Sequence, residues 1–241
     1  MRWDIFCQIV DNYGDAGVCW RLARSLASIH GQEVRIFCDD LPILNLLASG
    51  VDPVIKQKID MQPWDASHNN ARHPVQTPDV VIEAFGCELP ERYLAGLFIA
   101  SIKPIIINLE YLSAEPWITE FHGKASPQSH GIPKYFFFPG FSEKSGGLLR
   151  ENDLFAERDR AVAAFPRTDL LEVSLFCYDT APVGTLLDAF RDSPVPVLCH
   201  VPPGKPLVVV QAHLGGNGPW QLGNTTVRPV SFMPIDEFDL L

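Results

Sequence analysis

Two carboxylates stand four residues apart in the run Asp11-Asn12-Tyr13-Gly14-Asp15-Ala16-Gly17. A carboxylate in such a turn can take a proton from a nucleophile or hold a cationic acceptor. The glycines let backbone come close to a ligand, and a helix opening here offers unpaired N–H groups. A plainer reading stands beside this one, with Asp15 as the N-cap of the next helix and Asp11 in an Asx-turn. The dinucleotide fingerprint Gly-x-Gly-x-x-Gly is not met, because Asn12 stands where its first glycine is required. No Gly-Lys-Ser/Thr follows, so the run is not a P-loop either.

Three other groups bear on chemistry. Glu110-Tyr111-Leu112-Ser113 ends an apolar run. Glu110 there can orient a polar substrate, or Ser113 simply caps residues 114–121 with Glu110 in the turn before it. Phe176 and Tyr178 lie two apart on a strand-like run and so share a face. They fit core packing, while a Tyr178 at the strand end would offer its hydroxyl to a ligand. The seven histidines show no His-x-x-x-His spacing, so no metal site is expected. There is no Gly-x-Ser-x-Gly elbow and no recognisable cysteine nucleophile motif.

The elements that position these groups follow from hydrophobic periodicity. Residues 3–10 read as a strand and 16–30 as a helix, with Val18, Leu22, Leu26 and Ile29 on one stripe and Gly31 closing it. Residues 33–38 and 42–49 continue as strand and helix. This β-loop-α-β-α order predicts a parallel sheet with right-handed crossovers. Residues 60–78 lack apolar period and read as a surface loop docked by Trp64. Strand, helix and strand are expected at 79–85, 89–100 and 103–109. Residues 126–133 read as a loop, 135–139 as an aromatic patch and 153–165 as a polar helix. A second βα pattern begins with a strand at 171–178, a helix at 181–190 and a strand at 195–201. An apolar run at 206–212, a glycine-rich loop at 215–218, a strand at 225–230 and a helical opening at 234–241 follow. The expected division is a domain at 1–155, a linker at 156–168 and a partial second domain at 169–241.

The 241 residues can bury a core without staples. With 29 acidic against 19 basic residues, the net charge of -10 argues against a nucleic-acid binder. The six cysteines are scattered, four of them in apolar runs (Cys7, Cys38, Cys177 and Cys199), which suggests a reducing compartment. No apolar run approaches the ~20 residues of a membrane helix, and no signal segment opens the chain. A cytoplasmic protein is expected.

Four stretches carry a resemblance: IFCQIVDNYGDAGVCWRLARSLA, INLEYLSAEPW, KYFFFPGF followed by GGLLRE, and VSLFCYD. In this order they resemble the elongation factor P arginine rhamnosyltransferases (EarP). The resemblance implies an α/β GT-B glycosyltransferase with two Rossmann-like domains. It implies transfer of L-rhamnose from dTDP-β-L-rhamnose to an arginine of translation elongation factor P, with inversion, which relieves ribosome stalling at polyproline. By the match, Asp15 is the general base and Asp11 its supporting carboxylate. Asn12, Tyr13 and Gly14 would line the sugar and phosphate end of the donor, and Phe176 and Tyr178 its nucleotide pocket. No metal or other cofactor is implied. Family members continue past residue 241 into an acidic stretch that completes the donor site. The chain is therefore expected to be a C-terminally truncated member with an incomplete second domain and with little or no transferase activity on its own. Alternative readings are an inactive fragment that only binds elongation factor P, or an epimerase or reductase on a Rossmann sheet, against which the unmet fingerprint speaks.

Overall fold

The computed structural model describes residues 1–10, 13–49, 51–64, 76–128, 131–164, 169–178 and 180–231. The chain divides into two α/β units, Met1–Glu151 and Asn152–Leu241.

In the first unit, the strands are β1 (Arg2–Cys7), β2 (Glu33–Cys38), β3 (Ile59–Pro63), β4 (Val80–Ala84), β5 (Ile105–Leu109) and β6 (Lys134–Phe137). The helices are α1 (Gly14–Ser28), α2 (Leu41–Leu47), α3 (Pro53–Lys56), α4 (Glu91–Ile99) and the single turn α5 (Ile118–Phe121). The sheet order is β3-β2-β1-β4-β5-β6, with every neighbouring pair parallel. Chain order reverses between β1 and β4, which makes their carboxyl ends the natural ligand crevice.

The strands are buried on both faces, which explains their nearly unbroken apolar runs. Ile5, Cys7, Ile36, Val80 and Ile82 pack with Ala16, Cys19, Trp20 and Ala23 of α1. On the opposite face Phe6, Phe37, Val81 and Ile106 pack with Tyr93 and Leu97 of α4. Phe6 and Phe37 stack at 4.4 Å, and each such buried side chain contributes roughly 1.5–3 kcal/mol.

Among the described residues, the most deeply buried carboxylate of this unit is Asp4. It is fully buried on β1 and takes a bidentate pair of 2.7 Å bonds from Arg35. The Tyr93 hydroxyl donates to the same carboxylate at 2.5 Å. Burial pushes the Asp4 carboxyl up, while Arg35 and Tyr93 pull it the other way.

The second unit contains α6 (Leu154–Ala164), β7 (Leu171–Ser174), α7 (Val183–Arg191), β8 (Val197–Val201), α8 (Lys205–Leu214), β9 (Trp220–Leu222) and β10 (Thr225–Pro229). Its sheet order is β7-β8-β10-β9, parallel except for the antiparallel edge strand β9. Leu187, Cys199, Val201, Val210 and Val227 form its core. His200 is fully buried on β8 and joins its two neighbouring strands. Its Nδ1 accepts from Arg228 at 3.2 Å, so its Nε2–H faces Glu172 at 3.1 Å.

Several expectations shift. Strand β3 (Ile59–Pro63) takes in the first residues, 60–63, of the expected surface loop at 60–78, because they pair with β2. Trp64 does dock that end, edge-on to Phe6 at 5.4 Å and 2% exposed. The aromatic patch supplies the sixth strand, β6. Much of the stretch read as a linker lies in α6. The helical opening at 234–241 lies outside the described residues. Two Rossmann-like parallel sheets in succession agree with the expected α/β, GT-B-type class. No helix among the described residues is long and apolar enough to cross a membrane.

Candidate functional site

α1 begins earlier than its apolar stripe suggests. Tyr13 occupies the N-cap position and Gly14 opens the helix. Asp15 is therefore inside the first turn, which corrects its reading as the N-cap. Its side chain is 5% exposed, and its Oδ2 accepts the Val10 backbone N–H at 3.0 Å. The carboxylate thus closes the loop after β1 from the helix side. Its place in the first turn also suits the positive end of the helix dipole. The short residue Gly14 beside it has open space where a side chain would begin. Asp11 and Asn12 lie outside the described residues.

α1 is tied down at mid-length. Arg21 donates to both Glu151 oxygens at 2.7 Å and to the Leu149 carbonyl at 3.2 Å. The Arg21 bond holds the Glu151 carboxyl below its ordinary range, against a smaller opposing effect of burial. The helix that carries Asp15 is therefore clamped to the end of its own unit.

Across the strand-order reversal, β4 ends in a strained turn. Phe85 has φ 57°, the one positive value at a non-glycine among the described residues, and Gly86 follows at φ 71°. The Cys87 N–H closes the turn on the Ala84 carbonyl at 3.1 Å. A left-handed conformation costs an ordinary residue roughly 1–2 kcal/mol and tends to cluster at functional sites. The Phe85 ring stacks on Tyr111, with centroids 4.4 Å apart and planes 18° from parallel.

Glu110 and Tyr111 follow β5 on the same sheet edge. Asn108 donates its Nδ2 to Glu110 at 2.6 Å. Ser113 accepts the Glu115 N–H at 3.1 Å in a local turn, and it caps no helix, because α5 begins only at Ile118 with Trp117 at its N-cap. Beside these, Glu83 is held by Lys134 at 2.6 Å in a largely buried pair. Burial raises the Glu83 carboxyl, with Lys134 opposing.

In the second unit Phe176 and Tyr178 lie past the end of β7, which stops at Ser174. Phe176 is 75% exposed and Tyr178 58% exposed. This corrects both the core-packing reading and the strand drawn through residue 178. Exposed aromatic rings beyond a strand's carboxyl end present the face on which a planar base stacks.

All six cysteines are free thiols, and five have raised pKa values, Cys177 through burial. Burial pushes Cys87 up to about 12 and Cys199 to about 11. Cys7 and Cys38 are pushed up chiefly by neighbouring thiols, with burial adding to the effect. These four are fitted to packing and not to nucleophilic attack. The signal the sequence reading missed is Phe85. A left-handed phenylalanine has no sequence signature beyond the glycine after it.

Comparison with known proteins gives a consistent picture. The family described as Elongation-Factor P (EF-P) rhamnosyltransferase EarP matches residues 3–241. A protein-arginine rhamnosyltransferase of Pseudomonas putida is 41% identical, over 99% of this chain and 68% of that protein. One of Pseudomonas aeruginosa is 39% identical over the same shares. A solved structure concerning EarP-mediated arginine glycosylation of translation elongation factor EF-P aligns with a TM-score of 0.53 at 28% identity. That alignment covers 99% of this chain and 63% of the solved one, so the chain spans about two thirds of these relatives' length.

Proposed function

We propose a function on one premise: the chain belongs to the EarP family of elongation factor P rhamnosyltransferases. In the proposed reaction, L-rhamnose passes from dTDP-β-L-rhamnose to an arginine of elongation factor P. The observation that carries this reading is Asp15, a buried carboxylate fixed at the carboxyl edge of a parallel sheet, inside a run on which the resemblance to the family rests.

A free guanidinium has a pKa of roughly 12.5–13.8, so a carboxylate does not deprotonate it beforehand. Asp15, supported by Asp11, holds the arginine through charge-assisted hydrogen bonds. An arginine nitrogen attacks the anomeric carbon while the bond from that carbon to the dTDP oxygen breaks. The bonding pair leaves with dTDP, and the nitrogen's proton passes to Asp15 as that nitrogen becomes acidic. Attack opposite the leaving group inverts the centre. Asn12, Tyr13 and Gly14 line the sugar and phosphate end, where the unpaired N–H groups of α1 favour negative charge. Phe176 and Tyr178 stack on the donor's base. No metal or other cofactor takes part in this reading. Six free thiols support a reducing, cytoplasmic setting.

The test is incubation of the chain with elongation factor P and dTDP-β-L-rhamnose, followed by weighing the acceptor. A gain of one deoxyhexose would support the transferase reading and overturn the expectation that the chain alone is inactive. Binding of the factor without any gain would favour the binding-only reading, and neither binding nor gain would refute both.

A further inference from the structure

The chain after β5 carries one residue more than its partner strand. Leu109 pairs with Phe137, and Ser113 forms a parallel bridge with Gly140. Four steps on one side thus match three on the other. The Glu110 N–H bonds the Phe137 carbonyl at 2.9 Å and the Ser113 N–H bonds Pro139 at 3.2 Å, so both ends of the excursion are pinned. Extra residues of this kind re-aim side chains and recur beside active sites. Here the excursion leaves Tyr111 and Leu112 half exposed and Glu110 partly so.

Two neighbours hold this segment from below. Asn108 is buried, and its Nδ2 fixes Glu110, while its Oδ1 has no partner among the described residues. Phe85, in its left-handed turn, backs one face of the Tyr111 ring. β5 adjoins β4, which adjoins β1, so the segment lies two strand spacings, about 10 Å, from the end of β1. A fixed carboxylate beside a fixed aromatic plane matches a guanidinium, which is planar, cationic and presents a rigid fork of donors.

We propose that Glu110 and Tyr111 complete, together with Asp15, the acceptor subsite for the guanidinium of the protein substrate, with Asn108 and Phe85 as positioning residues. This rests on the transferase reading above. Glu110 accepts hydrogen bonds from the guanidinium, and Tyr111 offers its ring face. Asn108 and Phe85 act only through these two.

The test is calorimetric binding of the full chain to elongation factor P in two forms. One is unmodified. In the other, the arginine that gains deoxyhexose is replaced by alanine. Glu110→Gln and Tyr111→Leu should each weaken binding of the unmodified factor by about tenfold. Neither should change binding of the alanine form by more than about twofold, because the partner group is already gone. Asn108→Leu and Phe85→Gly should show the same arginine-dependent loss. Equal losses toward both forms, or no loss, would overturn the subsite while leaving the transferase reading intact. No binding by the unaltered chain would overturn the transferase reading itself, and the subsite with it. Glu110→Gln preserves size and shape, so it carries the test even if Tyr111→Leu fails to fold.

Discussion

The two units handle their candidate residues in opposite ways. In the first, Asp15 is buried, bonded to the Val10 N–H and carried on a helix clamped by Arg21. In the second, Phe176 and Tyr178 stand largely in solvent beyond β7. The contrast suits the roles proposed for these groups. A carboxylate that accepts a proton during bond formation must already be in place, since small misplacement costs rate. An aromatic ring that stacks on a base needs only a face, and the ligand itself supplies the burial. The cores differ in the same spirit. The first unit encloses a bidentate ion pair, Asp4 with Arg35, whereas the second joins three strands through a histidine.

The largest test of this contrast is Asp15→Asn. The amide still accepts from Val10, so the melting temperature should stay within about 2 °C, while rhamnosyl transfer falls roughly 10²–10⁴-fold. Acceptor mass against time measures it, and retained turnover would remove Asp15 from the base role. Asp4→Ala should be the largest change in stability. It leaves Arg35 and the Tyr93 hydroxyl without their buried partner, at a cost of about 3–5 kcal/mol. Chemical denaturation followed by hydrogen exchange should place the loss in the first unit, with amides of β8 unaffected. A loss spread evenly over both sheets would contradict their description as separate cores.

Phe176→Ala should weaken binding of dTDP by about 5- to 100-fold, corresponding to roughly 1–3 kcal/mol of stacking. Because the ring is 75% exposed, stability should change by less than about 0.5 kcal/mol. A large drop in melting temperature would instead assign the ring a structural role. The smallest effect is Arg21→Ala. The Glu151 carboxyl is held below its ordinary value of 4.5 in the folded chain. Its stabilisation is therefore full above that value and disappears as pH falls through the lowered one. The pair is partly exposed, so the loss at pH 7 should be on the order of 0.5–1 kcal/mol. Wild type and variant should converge in stability as the pH is brought down below the lowered Glu151 value. A gap that stays constant with pH would show that packing of the Arg21 stem matters more than its charge.

Much of the fold was legible because the apolar runs carry it. β1, β2, β4 and β5 are largely apolar stretches, and α1 shows its stripe plainly. β3 was hidden, since its sequence Ile-Asp-Met-Gln-Pro has little strand character and owes its form to pairing with β2. β6 looked like an aromatic patch for the same reason: only its partner β5 makes it a strand. The Asp15 motif was visible as a spacing, but its exact place in the helix was not. A first-turn aspartate and an N-cap aspartate have the same neighbours in sequence, and only the start of α1 at Gly14, after Tyr13 at the N-cap, distinguishes them.

The sequence by itself determined the alternation of strands and helices, the acidic motif after the first strand and the family to which the chain belongs. Those depend on residue type and local spacing, which the chain carries with it. Tertiary structure alone decided that chain order reverses between β1 and β4, that Phe85 turns left-handed there, and that one extra residue after β5 brings Glu110 and Tyr111 outward. These depend on hydrogen bonds between strands far apart in sequence, and no local window of residues contains both partners of such a bond.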